Sequence, residues 1–266
     1  YHNYLEHLES HAKANCNISM IDAAKELRHE LLKGAEDNGQ VLNTSVSVDG
    51  SWQKRYGHNS LNGLVYIISI ETGCVLDYVV KTKVCHVCKQ KPNASEEWKK
   101  EHKKFCCINH SGSAGSMEVE ASLQMIMRSI EQYNLRYTTY VGDGESSAFG
   151  TVRDAILEKF GEEYRIVKED CIGHIQKRMG TALRHYKNVM TTSKTKLSDG
   201  KGVGGVGRLP DAKIDRIQTY YGYAIRNNKH DEQLFKYAIL ALFFHSIAGP
   251  ASENLNAHHQ YCPQCP

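Results

Sequence analysis

Val46-Ser-Val-Asp-Gly-Ser-Trp52 and Tyr137-Thr-Thr-Tyr-Val-Gly-Asp-Gly-Glu145 are the two stretches that decide the fold of this chain. Each is a β-rich run in which an aspartate, Asp49 or Asp143, is followed by glycine at the polar end of an apolar strand. Paired carboxylates at strand ends commonly hold Mg²⁺ for phosphoryl transfer, so the two aspartates together predict one metal site. The alternative is that both Asp-Gly pairs are simple turns.

Composition places the chain among soluble globular proteins, because 41% of its 266 residues are hydrophobic and 24% are charged. The longest apolar run, residues 237–247, contains His245 and is shorter than the roughly 20 residues of a membrane helix, so no membrane partner is expected. A net charge of +3 does not by itself indicate nucleic-acid binding. No signal peptide is visible and the chain begins with Tyr1, so we expect an excerpt of a longer protein.

Hydrophobic periodicity predicts an α/β fold in the order β-β-β-α-β-α-β, a mixed sheet with helices packed on it. An amphipathic helix with Ser19 as N-cap is expected to precede the sheet over residues 19–37. Strands are predicted at 41–49, 63–70, 74–81, 137–141 and 164–167, and later helices at 116–133, 148–160, 175–189, 211–226 and 231–246.

Three domain segments follow from this order: an N-terminal helical segment (1–40), a core (41–190) and a C-terminal part (191–266). The core contains a Cys- and Lys-rich insertion at 84–110 that does not have the composition of a buried core. The C-terminal part begins with a Gly/Ser-rich loop, whose glycine spacing does not match a phosphate-binding loop, and continues as a helical insertion. No internal repeat is evident.

Nine cysteines in close pairs favour a reducing compartment and metal or thiol roles over a disulfide framework. The insertion offers Cys85-x-x-Cys88 followed by four further candidates, and we predict one Zn²⁺ bound by Cys85, Cys88, His102 and Cys106, leaving Cys107 and His110 outside the set. The alternative is a basic surface loop with reduced cysteines. A second knuckle, Cys262-Pro-Gln-Cys265 with His258 or His259, lies near the end of the chain.

Four motifs together resemble the Mutator-like transposases, which are DDE transposases with an RNase H-like core. They are Asp49-Gly-Ser-Trp-Gln-Lys-Arg55, Asn109-His-Ser-Gly-Ser113 with Met117-Glu118, Gly142-Asp-Gly144, and Cys171-Ile-Gly-His-Ile-Gln-Lys-Arg178. The resemblance covers nearly the whole chain. It implies an RNase H-like five-stranded mixed sheet, which matches the element order predicted from periodicity.

The resemblance implies that Asp49 and Asp143 are the first two catalytic acids and bind Mg²⁺ or Mn²⁺. It implies a DNA transposase that nicks transposon ends and joins them to target DNA, acting in the nucleus and compatible with a homo-oligomer. Glu145 is the second choice for the second acid. Cys171 and His174 correspond to a family signature for which structural and catalytic roles are both open.

The third acid of the family is a glutamate on a helix that follows the helical insertion. Glu253 has a superficially similar context, but we expect the true glutamate beyond Pro266, which would leave this chain inactive alone. Two other functions are weighed against a transposase: a domesticated, non-catalytic DNA-binding protein, and an RNase H-like structure-specific nuclease.

DNA contact is predicted from local charge, because residues 177–208 contain eight Lys or Arg against one acid. From that stretch we predict contacts by Lys177, Arg178 and Arg184, with a solvated helix face as the alternative. Trp52, Lys54 and Arg55 are further candidates, and Trp52 is equally well explained as a core residue.

Overall fold

The computed structural model describes residues 2–53, 60–142, 148–205 and 207–247. Contacts group the chain into two compact units, Tyr1–Glu169 and Asp170–Pro266. The sequence-based boundary at residue 190 lies later in the chain, and the predicted domain limits stay a prediction. Among the described residues, no helix combines the length and the apolarity needed to cross a bilayer.

The predicted α/β class and order of strands and helices are confirmed, with two short extra helices between the third strand and the next long helix. In chain order the elements are α1 His2–Leu32, β1 Leu42–Trp52, β2 Asn62–Ser69, β3 Val75–Thr82, α2 His86–Gln90, α3 Glu96–His102, α4 Ala114–Tyr133, β4 Leu135–Gly142, α5 Ala148–Phe160, β5 Val167–Asp170, α6 Ile172–Thr192, α7 Asp211–Asn227 and α8 Glu232–Ile247.

The five strands form one mixed sheet in the order β3-β2-β1-β4-β5. β1 pairs with β2, and β2 with β3, in antiparallel fashion, whereas β1 and β4 are parallel. Buried residues of the sheet, α1, α4 and α5 make one apolar core, and its largest fully buried side chains include Leu27, Ile67, Leu76, Met125, Ile126, Tyr137, Tyr140 and Ile156.

β1 continues past the predicted end at Asp49 as far as Trp52, with Asp49 opposite Tyr66 and Gly50 opposite Val65 of β2. The turn alternative for Asp49-Gly50 is therefore wrong. Gly50 stays in the strand because its missing side chain leaves room for the indole of Trp52, which would lie 2.9 Å from a Cβ at that position. Asp49 is thus an exposed residue inside a strand rather than a strand end.

α1 starts well before the predicted helix, so Ser19 lies inside it and is not its N-cap. The helix ends at Leu32 rather than Asp37, because Lys33 (φ 49°) and Gly34 (φ 88°) adopt left-handed backbone conformations that terminate a helix. Its buried stripe is Met20, Ala23, Ala24 and Leu27, whereas the neighbouring Ile21 is 46% exposed.

The last strand is displaced from its predicted position at 164–167 to Val167–Asp170. Tyr164 and Ile166 are buried core residues that precede the strand. Tyr164 binds β4 through its side chain rather than its backbone, since its hydroxyl accepts a hydrogen bond from the backbone N–H of Tyr137 at 2.9 Å.

α6, α7 and α8 belong to the second unit, in which α6 packs on α7 and α7 on α8. A repeat that sequence inspection missed relates the first two helices: Gln176-x₃-Gly180-x₃-Arg184 in α6 and Gln218-x₃-Gly222-x₃-Arg226 in α7. Each glycine makes room for the other helix's glutamine, because a Cβ at Gly180 would lie 1.8 Å from Oε1 of Gln218 and one at Gly222 would lie 2.1 Å from Oε1 of Gln176.

The arginines complete this reciprocal pattern. Arg226 donates to Oε1 of Gln176 at 3.1 Å, and Arg184 lies 3.5 Å from Oε1 of Gln218. The two helices therefore pair through two equivalent Gln-Gly-Arg contacts, which a pattern search confined to hydrophobic periodicity does not reveal.

Candidate catalytic edge and metal centre

Asp49 presents its carboxylate on the exposed side of β1, since Val46 and Val48 are buried on the opposite face of the strand. The backbone N–H of Gly50 donates to Oδ1 at 2.8 Å, and the hydroxyl of Tyr66 donates to Oδ2 at 3.2 Å. Burial and, after it, the neighbouring Asp49 carboxylate raise the pKa of Tyr66 above its usual value of 10.0. Tyr66 is therefore a neutral hydrogen-bond donor to Asp49 at neutral pH.

Asp143 directly follows Gly142, the last residue of β4, and lies outside the described residues. The strand that leads to it is described: β4 is the parallel neighbour of β1, with Val46 opposite Tyr140 and Ser47 opposite Val141. The other predicted residues outside the described ranges are Lys54, Arg55, Glu145, Glu253, His258, His259, Cys262 and Cys265.

Trp52 is half-buried at the end of β1 and packs against the apolar core. Its indole covers Gly63 of β2, where an added Cβ would lie 2.1 Å from Cζ3 of the ring. These contacts favour the core interpretation of Trp52, and a contact with DNA stays a prediction.

The predicted ligands Cys85, Cys88, His102 and Cys106 converge, with all four ligand atoms within 4.8 Å of one another. Sγ of Cys85 lies 3.4 Å from Nε2 of His102, and Sγ of Cys88 lies 3.6 Å from Sγ of Cys106. Tetrahedral Zn²⁺ with ordinary bond lengths separates its ligand atoms by roughly 3.4–3.8 Å. The group can therefore hold a metal ion such as zinc.

Local structure explains this convergence. α2 begins directly after Cys85, and its first turn brings Cys88 back toward Cys85. α3 begins at the N-cap Ser95, whose hydroxyl accepts the backbone N–H of Trp98 at 3.2 Å. One turn later the ring of His102 stacks on Trp98, with centroids 4.6 Å apart and an interplanar angle of 12°. This stacking fixes the histidine toward the cysteines.

The thiols differ in acidity. Burial acts to raise the pKa of Cys85, but hydrogen bonds from the backbone N–H of Cys88 and from His102 outweigh it and lower the pKa to about 5. Partial burial, together with its hydrogen bond to Cys106 and the neighbouring Cys85, raises the pKa of Cys88 to about 12. Cys85 thus forms a thiolate readily, and its negative charge disfavours a second thiolate at Cys88. A bound cation would offset this repulsion between the two thiolates.

His110, one of the alternative zinc ligands, lies in a different cluster at the start of α4. Its ring is fully buried, with Nδ1 3.0 Å from Oε2 of Glu120 and Nε2 3.0 Å from the carbonyl oxygen of Ser113. Glu120 also pairs with Lys81 of β3 at 3.3 Å, and its pKa is lowered by the hydrogen bond to His110. Cys85 and His110 are the buried residues of segment 84–110, and neither belongs to the apolar core, as its composition predicted.

Cys171 and His174 lie at the start of α6, where the backbone N–H of His174 donates to the carbonyl oxygen of Cys171 at 3.0 Å. Both residues are half-buried. Nδ1 of His174 is buried without a hydrogen-bond partner among the residues that the structure describes. Cys171 thus occupies the N-cap position of α6 without a side-chain hydrogen bond to the helix, and the catalytic role of the pair stays a prediction.

Lys177, Arg178 and Arg184 are exposed on α6, but acids from outside segment 177–208 reduce their free charge. Arg184 forms an ion pair with Asp215 of α7, and Arg178 lies 4.0 Å from Asp170. Lys187 likewise pairs with Asp211 of α7 at 3.0 Å. A linear count of charges in α6 and the following loop could not reveal the acids of α7.

In a comparison with known protein families, the family model of Mutator-like transposases matches residues 1–266. No curated protein and no solved structure matches the chain. Because the family match spans the full chain, the protein belongs to the Mutator-like transposase family.

Proposed function

From this family membership we propose that the chain is the catalytic domain of a DNA transposase, which cleaves DNA strands at transposon ends and transfers them to target DNA. The proposed reaction is metal-dependent phosphoryl transfer at Asp49 and Asp143. Because the proposed substrate is DNA, we propose that the protein acts in the nucleus.

The observation that carries the proposal is the parallel register of β1 and β4. Ser47 lies opposite Val141, and each proposed acid comes two residues later in the sequence. Adjacent strands are about 4.8 Å apart, so continued pairing would bring the Asp49 and Asp143 carboxylates close enough to share a metal ion.

The strand order supports an RNase H-like core. Three antiparallel strands come first in the chain, and the first of them, β1, is also paired in parallel with β4 on its other side. This order places β1 at the centre of the sheet, so that its exposed carboxylate has a neighbouring strand on either side. We propose the RNase H-like fold on this pattern.

Asp49 is well prepared to hold a divalent ion, because it is exposed and its two oxygens are oriented by Gly50 and Tyr66. Each carboxylate oxygen has a further lone pair available for Mg²⁺ or Mn²⁺. Bound ions of this kind activate a water or hydroxyl nucleophile and stabilise charge on the leaving oxygen. The protein's own part is to hold the carboxylate in a fixed direction on the exposed face of the central strand β1.

Charge distribution supports DNA contact by the second unit. Asp170–Pro266 contains 13 Lys or Arg and seven Asp or Glu, whereas Tyr1–Glu169 contains 20 and 23. A net positive unit attached to a net negative one concentrates attraction for phosphates on one part of the chain. We propose that Lys177, Arg178 and Arg184 contribute to that surface.

We propose Zn²⁺ as the metal of the Cys85, Cys88, His102 and Cys106 group. The ligand atoms, three sulfurs and one imidazole nitrogen, lie within 4.8 Å of one another, and Cys₃His is a usual ligand set for structural zinc, with no position left for a substrate. The proposed role is to fold the insertion rather than to take part in catalysis.

The experiment that tests the proposed function is nicking of supercoiled plasmid in Mg²⁺ or Mn²⁺ by the protein extended past Pro266, so that it carries the expected third acid, compared with an Asp49→Asn variant of the same length. We expect nicking by the wild type and none by the variant, with DNA binding retained by both. A strand-transfer assay then separates a transposase from a nuclease that only cleaves. Equal nicking by both proteins would contradict a catalytic role for Asp49.

A further inference from the structure

The Cys/His segment, residues 84–110, has almost no apolar core of its own. Neither α2 nor α3 contains a buried residue, and the buried residues of the segment are Cys85 and His110. In a segment of this kind, a bound metal supplies most of the folding free energy. Loss of the metal would therefore loosen the segment, including its two ends.

Both ends of the segment meet at Thr82, the last residue of β3. At the first end, the backbone N–H of Val84 donates to the Thr82 hydroxyl at 3.3 Å. At the second end, the backbone N–H of Asn109 donates to the Thr82 carbonyl at 3.0 Å, and Oδ1 of Asn109 accepts the Thr82 N–H at 2.8 Å. Asn109 also donates from Nδ2 to the carbonyl of Val80 at 2.8 Å. Asn109 thus binds β3, an edge strand of the sheet, through three hydrogen bonds.

From Thr82 the hydrogen bonds continue across the sheet to the end of β1. The Thr82 hydroxyl donates to Oδ1 of Asn62 at 2.5 Å, and Nδ2 of Asn62 donates to Oε1 of Gln53 at 2.6 Å. The backbone N–H of Gln53 donates to the Asn62 carbonyl at 3.1 Å. Gln53 follows Trp52 directly, and the Trp52 indole rests on Gly63, the residue after Asn62.

We infer that Thr82 and Asn62 are positioning residues that couple metal binding in the Cys/His segment to the geometry of the end of β1 at Trp52, three residues beyond Asp49. Zinc holds Asn109 on Thr82, Thr82 orients Asn62, and Asn62 holds Gln53. The inference rests on the proposed function only in that this end of β1 is the proposed catalytic edge; the coupling itself does not depend on it.

The two tryptophans allow the coupling to be measured without DNA, Mg²⁺ or activity, because the chain contains only Trp52 and Trp98. Trp98 stacks on His102 and reports the metal group, whereas Trp52 reports the end of β1. A Trp98→Phe variant keeps an aromatic ring on His102 and leaves Trp52 as the single emitter. A Trp52→Phe variant leaves Trp98.

Zinc removal with a chelator is expected to shift Trp52 emission to longer wavelength in the Trp98→Phe protein, because the indole becomes more exposed. Adding Thr82→Val, which removes the hydroxyl but keeps the shape, should make Trp52 emission insensitive to zinc. Thr82→Ser, which restores a hydroxyl, should restore the zinc response. In the Trp52→Phe, Thr82→Val protein, Trp98 should still respond to zinc.

Three outcomes would overturn the inference: Trp52 emission that ignores zinc while Trp98 responds, an equal zinc response with Thr82→Val, or no zinc response at either tryptophan. A large loss of helical circular dichroism on chelation would also overturn it, since zinc would then support the whole unit rather than one edge. None of these results bears on plasmid nicking, so this inference and the proposed function can fail separately.

Discussion

Tyr66 of β2 donates its hydroxyl to Oδ2 of Asp49, the residue directly opposite it on β1, at 3.2 Å. The pairing holds an exposed carboxylate in one direction before any metal binds. Because burial and the Asp49 charge both raise the pKa of Tyr66, the phenol keeps its proton at neutral pH and remains a donor. The carboxylate of Asp49 is therefore oriented by residues of β1 and β2.

Zinc content distinguishes a metal centre from a loop of reduced thiols. We expect about one zinc per chain in purified protein, measured by elemental analysis. Cys85→Ser should lose it, because Cys85 is the buried member of the ligand group. Cys16→Ser, at an exposed cysteine of α1, is the matched control and should keep the zinc. Equal zinc in both variants, or none in the wild type, would contradict the zinc assignment.

The basic surface of α6 predicts sequence-independent DNA binding. The Lys177→Ala, Arg184→Ala double variant should bind all DNA sequences more weakly and lower the slope of log affinity against log salt by about one unit for each phosphate interaction removed. Arg184 already pairs with Asp215, so the Lys177→Ala single change should account for the larger part. Lys13→Ala, on α1, is the control; unchanged affinity and slope in the double variant would identify α6 as ordinary solvated surface.

The contact between Gly180 and Gln218 predicts that Gly180→Ala stabilises the protein less than glycine to alanine usually does in a helix. Glycine to alanine inside a helix ordinarily gains about 1 kcal/mol, as we expect for Gly150→Ala in α5, where an added Cβ meets nothing within 4 Å. Gly180→Ala should gain less, because Oε1 of Gln218 must move away.

In a Gln218→Ala background, Gly180→Ala should recover the ordinary gain. Urea unfolding of the four proteins in this cycle provides the measurement. Equal effects of Gly180→Ala in both backgrounds would mean that the glutamine does not limit this position.

The ion pair between Arg28 and Asp37 is expected to make the stability of the fold depend on pH in the acid range. Arg28 donates from Nε to Oδ2 of Asp37 at 2.8 Å, and this pairing, with the backbone N–H of Gly39, lowers the pKa of Asp37 from 3.8 to about 2. Between those two values the unfolded chain binds more protons at this residue than the folded protein, so stability falls as the pH drops through that window.

Asp37→Asn should therefore flatten the pH dependence of the urea midpoint between pH 3.8 and about 2. In an Arg28→Gln background, Asp37→Asn should change the slope far less, because the carboxyl has already lost its main partner. Parallel curves for the wild type and Asp37→Asn would show that the pair does not contribute to acid unfolding.

Helices with strong hydrophobic periodicity could be predicted from the sequence with accurate limits. α5 runs over Ala148–Phe160 as predicted, and α4 starts two residues before its predicted position because Ser113 caps it through the backbone N–H of Ser116 at 3.1 Å. The four-ligand Cys/His group could also be predicted from the sequence, because the CxxC spacing reflects local turn geometry. Features of this kind depend on neighbours in the sequence.

The missed features depend on partners that are distant in the sequence. The extension of β1 through Gly50 depends on a tryptophan ring that packs over Gly63 of the next strand. His110 is fixed by Glu120 of α4, and Arg184 by Asp215 of α7. The Gln-Gly-Arg repeat became recognisable only when α6 and α7 were seen to pack against each other.

The most direct test of the central claim is to map the metal site by iron-dependent backbone cleavage. Fe²⁺ substituted for Mg²⁺, with ascorbate and peroxide, cuts the chain next to its ligands, and added zinc keeps the Cys/His group saturated. The account predicts cuts close to both Asp49 and Asp143, suppressed together by excess Mg²⁺ and lost together in Asp49→Asn. Cleavage near only one aspartate, or near neither, would contradict a shared metal site.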